Sequence, residues 1–202
     1  NFRVVLFIDS TPHSLFMNSM IRYFSLLLII LMMGCAGDPD RDKPWLGTLR
    51  HELGYLGARN WVIVAEAAFP IHSRRGLTVV QINGEIPDVV DAVERVIEEK
   101  SHVKPRLYVA AEAESIPYDY APGIKRYHGQ LDEALHGRET VQLEHSMLLN
   151  MISDASKTYR VLIIKTRSAL PYTSVFMELG SGYWDAESES ALRGLMEGDR
   201  KP

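Results

Sequence analysis

The chain predicts an α/β layered domain with a mainly parallel sheet, and three observations carry that reading. Short β-branched or aromatic runs alternate with longer stretches of helical periodicity. The composition, 46% hydrophobic and 24% charged over 202 residues, is that of one globular domain with apolar mass for a sizeable core. Neither an internal repeat nor a low-complexity segment interrupts the pattern.

The elements follow in order from Pro44. Trp45, Leu46, Leu49, Leu53 and Leu56 fall on one helical face. Residues 61–64 are apolar, β-branched and too short for a helix, so they read as a buried strand. Residues 77–82 form a second strand, and Pro87 opens a helix through Val89, Val90, Val93 and Ile97, where its missing N–H is harmless. The spacing then predicts a strand over 107–110, a helix over 124–135, a strand over 140–143 and a helix over 147–156. Strands over 159–164 and 174–179 complete the set, and the Glu- and Ser-containing tail from Ala186 reads as a frayed or solvated helix.

A net charge of -4 and a pI near 6.0, without an extended Lys/Arg cluster, give no electrostatic basis for nucleic-acid binding. A small neutral molecule or other protein chains are the expected partners. Residues 20–34 hold one arginine, an apolar run and a closing glycine, the order of a secretory signal, too short for a good transmembrane span. Cys35, the only cysteine, stands where a bacterial lipoprotein carries its lipid. This predicts a membrane-anchored lipoprotein of the cell envelope; a buried N-terminal element with a free thiol is the alternative. On the first reading residues 35–44 form a tether, 45–185 the domain and 186–202 a polar tail, with 1–19 unassigned. No disulfide then supports the fold.

Residues 61–73 are the most informative stretch, because an apolar strand ends in Glu66 and, past a proline, in His72. Its frame is Leu56-Gly57-Ala58-Arg59-Asn60, the strand, Glu66-Ala67 and Phe69-Pro70-Ile71-His72-Ser73. This resembles the D-ribose pyranase and L-fucose mutarotase family, whose signature runs Leu-Gly-His-x-Asp, an apolar strand, Asp-Ala and, in the fucose branch, Phe-Pro-Ala-His-Ser. Asn83-Gly84 before an amphipathic helix is similar to the family's Asp-Gly segment, and residues 161–166 followed by Pro171-Tyr172 to its last strand, Gly-Glu turn and Tyr-x-Asn. The departures are Ala58 for histidine, Asn60 for aspartate, Ser174 for asparagine and Arg167-Ser168 for Gly-Glu.

The resemblance covers about residues 45–183 and implies a three-layer α/β sandwich, interconversion of the cyclic forms of a monosaccharide, and a homo-oligomeric ring in which a neighbouring chain completes each pocket. It places the family's proton donor at Ala58, which cannot do that work. His72 is the substitute in the same region, since an imidazole titrates near neutrality; otherwise it is a solvated loop histidine. Glu66 takes the hydroxyl-holding position, or caps a turn. Tyr172 offers a phenol and an apolar ring to a sugar, or plugs the core; Phe69, Thr173 and Ser174 adjoin these positions. His145 falls near the family's basic sugar contact, or caps a helix. Arg126 and His128 read as a solvated helix face. Trp61, Tyr183 and Trp184 line contacts between chains or belong to the core. No metal spacing, phosphate loop or nucleophile elbow appears, so neither a metal nor another cofactor is expected. The competing class is a catalytically silent carbohydrate-binding lipoprotein.

Overall fold

The computed structural model describes residues 43–71 and 75–198. The signal-like segment, Cys35, most of the tether and His72 therefore lie outside the described residues. A compact unit begins at Trp45.

That unit runs α1 (Leu46–Leu53), β1 (Trp61–Ala65), β2 (Leu77–Gln81), α2 (Ile86–Lys100), β3 (Val103–Ala110), a 3₁₀ turn (Ala111–Ser115), α3 (Ile124–Ala134), β4 (Thr140–Leu143), α4 (His145–Ala155), β5 (Val161–Lys165), β6 (Val175–Ser181) and α5 (Ala186–Gly198). The sheet order is β2-β5-β1-β6-β3-β4. Every strand runs parallel to its neighbour except β6, which is antiparallel to both β1 and β3. The α/β layered architecture and the mainly parallel sheet are those expected.

Alternation of side chains along the strands builds two cores. Val62 and Val64 of β1, Leu162 and Ile164 of β5, and Val175 and Met177 of β6 face α1, α2 and α3. Trp61, Ile63, Val161, Ile163 and Phe176 face the opposite way, toward Leu148 and Ile152 of α4. Helices on both faces explain why all five β1 residues are buried, the near-continuous apolar run of a strand with two covered faces. Trp61 is one of them, 5% exposed and stacked on Tyr108 with ring centroids 5.5 Å apart, whereas Tyr183 is 81% exposed.

Of the boundaries that differ from expectation, two have evident physical reasons. β3 starts at Val103 rather than 107, with Pro105 inside it. There it pairs with Leu179 of β6 on one side only, because β4 joins from Leu107 onward, so the missing N–H breaks no ladder on the open side. α4 starts at His145, two residues early, because Glu112 of the 3₁₀ turn takes the His145 N–H on both carboxylate oxygens at 3.0 Å.

On α2, Glu94 is almost fully buried; Arg138 brings Nε to 2.5 Å from its Oε2, and also pairs with Glu98. The direction of approach does not suit a hydrogen bond, so neither Glu94 oxygen has a hydrogen-bonding partner among the described residues. Burial accordingly pushes the Glu94 carboxyl up to about 6 despite the guanidinium.

Candidate functional site

The reversed direction of β6 positions the site. The C-terminal ends of β1, β3, β4 and β5 share one sheet edge, and the residues that lead into β6 arrive at the same edge. Such edges are where open α/β sheets bind ligands. Glu66 leaves β1, Lys165 ends β5, Glu112 follows β3, His145 follows β4, and Tyr172, Thr173 and Ser174 precede β6.

Glu66 is 8% exposed, and its backbone N–H donates to Ser174 Oγ at 3.2 Å. Its Oε2 is buried with no hydrogen-bonding partner among the described residues. Burial raises the carboxyl above the usual carboxylate range, and the nearby His145 and Lys165 only partly oppose this. The Lys165 Nζ is held by the Phe69 carbonyl at 2.7 Å. Phe69 itself is buried, its ring edge-on to Phe176 with centroids 5.9 Å apart.

His145 carries the second orphan atom. Its Nδ1 is buried and also lacks a hydrogen-bonding partner among the described residues. The ring stands edge-on to Tyr172, centroids 5.3 Å apart at 84°, with Phe176 behind it at 6.4 Å. Two unsatisfied polar atoms are thus brought to one edge, with His145 close enough to act on the Glu66 carboxyl.

Tyr172 is 40% exposed and held at φ 59°, a left-handed conformation that a bulky residue rarely adopts. The surrounding turn enforces it. The Thr173 hydroxyl donates to the Leu170 carbonyl at 2.7 Å, and the Thr173 carbonyl accepts from the Tyr127 hydroxyl at 2.6 Å. Thr173 and Ser174 are both 1% exposed, so they brace the turn while Tyr172 reaches solvent. A cleft of about 570 Å³ lies beside Tyr172, with Glu112, Glu144, Pro117 and Tyr120 on its walls; Glu66 is buried and does not line it.

Sequence reasoning missed three contributors. Tyr127 lies on the buried face of α3 and reads as core, yet burial first and Glu66 second hold its hydroxyl firmly protonated. Lys165 had a legible signal, a cation closing a buried apolar strand. Glu112 had none, because its role depends on a helix that starts 33 residues later. Ala58, where the family resemblance places a proton donor, sits in the turn before β1. That is the sheet edge opposite Glu66, about 16 Å away along a five-residue strand.

No protein-family model and no curated protein matches the chain. Among solved structures it is similar to RbsD of Bacillus subtilis complexed with D-ribose, at 18% identity over 66% of this chain and 91% of that one, with a TM-score of 0.46. FucU from Bifidobacterium longum is similar at 17% identity over 69% and 97%, TM-score 0.47. The fucose mutarotase of Streptococcus pneumoniae complexed with L-fucose is similar at 17% over 71% and 92%, TM-score 0.40. The likeness is one of fold. What the site does rests on its own residues.

Proposed function

We propose that this protein binds a monosaccharide at the edge where Glu66, His145 and Tyr172 meet and interconverts its cyclic forms. The observation that carries the reading is the pair of buried orphan atoms, Glu66 Oε2 and His145 Nδ1. Buried polar atoms in folded proteins nearly always have partners, so two at one edge call for a ligand's hydroxyls.

Mutarotation needs a proton taken from the anomeric hydroxyl and another delivered to the ring oxygen. A carboxyl that burial raises above its ordinary value and an imidazole are the two kinds of proton-transfer group such a step uses. Tyr172 offers its half-exposed ring to the apolar face of a sugar. His72, outside the described residues, is the proton carrier that the sequence itself suggests. The motif order from Leu56 to Tyr172 supports the sugar class independently of the site.

Ala58 favours a second reading, a protein that binds sugar without transforming it. If the donor position belongs to the pocket, a second chain must supply that edge, which fits a homo-oligomeric ring better than a monomer. The cell envelope, with Cys35 lipidated, is the proposed location.

Magnetisation-transfer exchange between sugar anomers, measured with and without protein, tests the proposal. Exchange above buffer that falls about a hundredfold or more in His145→Ala or His72→Ala, with binding retained, identifies the proton carrier. Binding without exchange leaves the silent carbohydrate-binding protein. Neither binding nor exchange with ribose, fucose, galactose and glucose removes both.

A further inference from the structure

A separate cleft of about 550 Å³ opens on the α3 side of the same edge, lined among others by Arg126, Arg167, Glu85, Gln130, Tyr127 and Ser168. Its charge runs against the chain's net -4, for two guanidinium groups face one carboxylate. That carboxylate is already committed, because Glu85 Oε1 accepts from Arg167 Nε at 2.8 Å. The contact uses the side of the guanidinium fork, and the Arg167 backbone is fixed by its N–H to the Gly84 carbonyl at 3.3 Å. Arg126 stands in the first turn of α3, which holds no acidic residue, and none of the ion pairs among the described residues uses it. The Tyr127 hydroxyl is occupied by the Thr173 carbonyl, so the cleft's side-chain donors to a ligand are the two arginines, Gln130 and the Ser168 and Tyr120 hydroxyls, of which only the arginines are charged.

We infer that this cleft receives an anionic group, a carboxylate or phosphate, borne by a small polyol. Paired guanidinium forks match planar carboxylate and phosphate oxygens better than they match neutral hydroxyls. The volume admits more than an isolated inorganic ion. Tyr120 and Pro171 line both this cleft and the one beside Tyr172, so one ligand can lie across both with its charged end at the arginines. The inference stands on the arginine cleft and does not require that the Glu66 site catalyse anything.

Calorimetric titration at low salt with D-glucuronate, D-glucose 6-phosphate, inorganic phosphate and D-glucose tests it. At least one of the two acidic sugars should bind roughly tenfold or more tightly than glucose, with an affinity that falls as salt is added. The tighter acid then tells carboxylate from phosphate, and inorganic phosphate shows how much of the affinity the anion alone provides. Both side chains are exposed, so Arg126→Gln with Arg167→Gln leaves the core intact, to be verified by circular dichroism; this pair should erase the preference for acids. Equal affinity for acidic and neutral sugars overturns the inference, as does a preference that survives in the double variant. Failure of anomer exchange with acid binding retained would instead count against the mutarotase reading alone.

Discussion

Position 172 offers a test that separates backbone strain from side-chain chemistry. The Tyr172 backbone at φ 59° should be more comfortable for glycine than for any L residue. Comparing Tyr172→Ala with Tyr172→Gly removes the phenol in both cases, so the difference isolates the conformation. A left-handed residue with a Cβ costs roughly 1–2 kcal/mol, and glycine's greater freedom in the unfolded chain costs about 0.4–1 kcal/mol. Glycine should therefore be the more stable variant by about 1 kcal/mol, against a deficit of similar size wherever φ is negative. In a domain of this size that is a Tm higher by roughly 2–4 °C. Urea titration of both variants at one pH reads the difference directly. An alanine variant as stable as the glycine one, or more so, would show that the turn relaxes and that the aromatic is not held under strain. Both variants should lose sugar affinity alike, because both lack the ring that faces solvent beside His145.

Other outcomes are expected together. Glu66→Gln should slow anomer exchange by about a hundredfold, and remove a rising limb of the pH profile that lies above the ordinary carboxylate range. The same substitution should stabilise the fold at neutral pH, where burial disfavours the wild-type charge; equal urea midpoints would contradict this. Glu94, ordinarily near 4.5 and raised to about 6 on folding, gives a contribution fully present below about pH 4.5 and lost as pH rises through 6. Wild type should thus lose about 2 kcal/mol between pH 4.5 and 7.5 that Glu94→Gln does not lose, and parallel curves for the two would refute the assignment. Cys35→Ser should release the protein from membranes in fractionated cells; unchanged membrane association would dispose of the lipid anchor.

Much of this was legible in the residue pattern, and the exceptions have physical causes. Five consecutive buried positions in β1 need only one helix-covered sheet to explain them, and Pro87 marks the start of α2 by local chemistry alone. Glu66, His145 and Tyr172 are each placed by a strand end, which periodicity reveals. Their common edge is different, since it depends on β6 running against its neighbours, and a buried strand reads the same in either direction. The left-handed turn at Tyr172 is likewise invisible, because two side-chain hydrogen bonds enforce a conformation that the residue itself disfavours. Trp61 looked equally suited to an interface or a core, and only the stacking of Tyr108 across the intervening β6 decides for the core.

The place of β6 has a consequence for how the chain is made. Among the described strands it alone joins β2-β5-β1 to β3-β4, and it leaves the ribosome after the other five. Until it arrives, β1 and β3 each present an open edge of unpaired backbone N–H and C=O groups to whatever lies nearby, the situation that invites mispairing with other nascent chains. Insertion of β6 closes both edges at once, and the turn that carries Tyr172 comes with it. A half-made molecule therefore lacks the edge where Glu66, His145 and Tyr172 meet, and a chain severed before residue 175 would be left as two unsealed half-sheets.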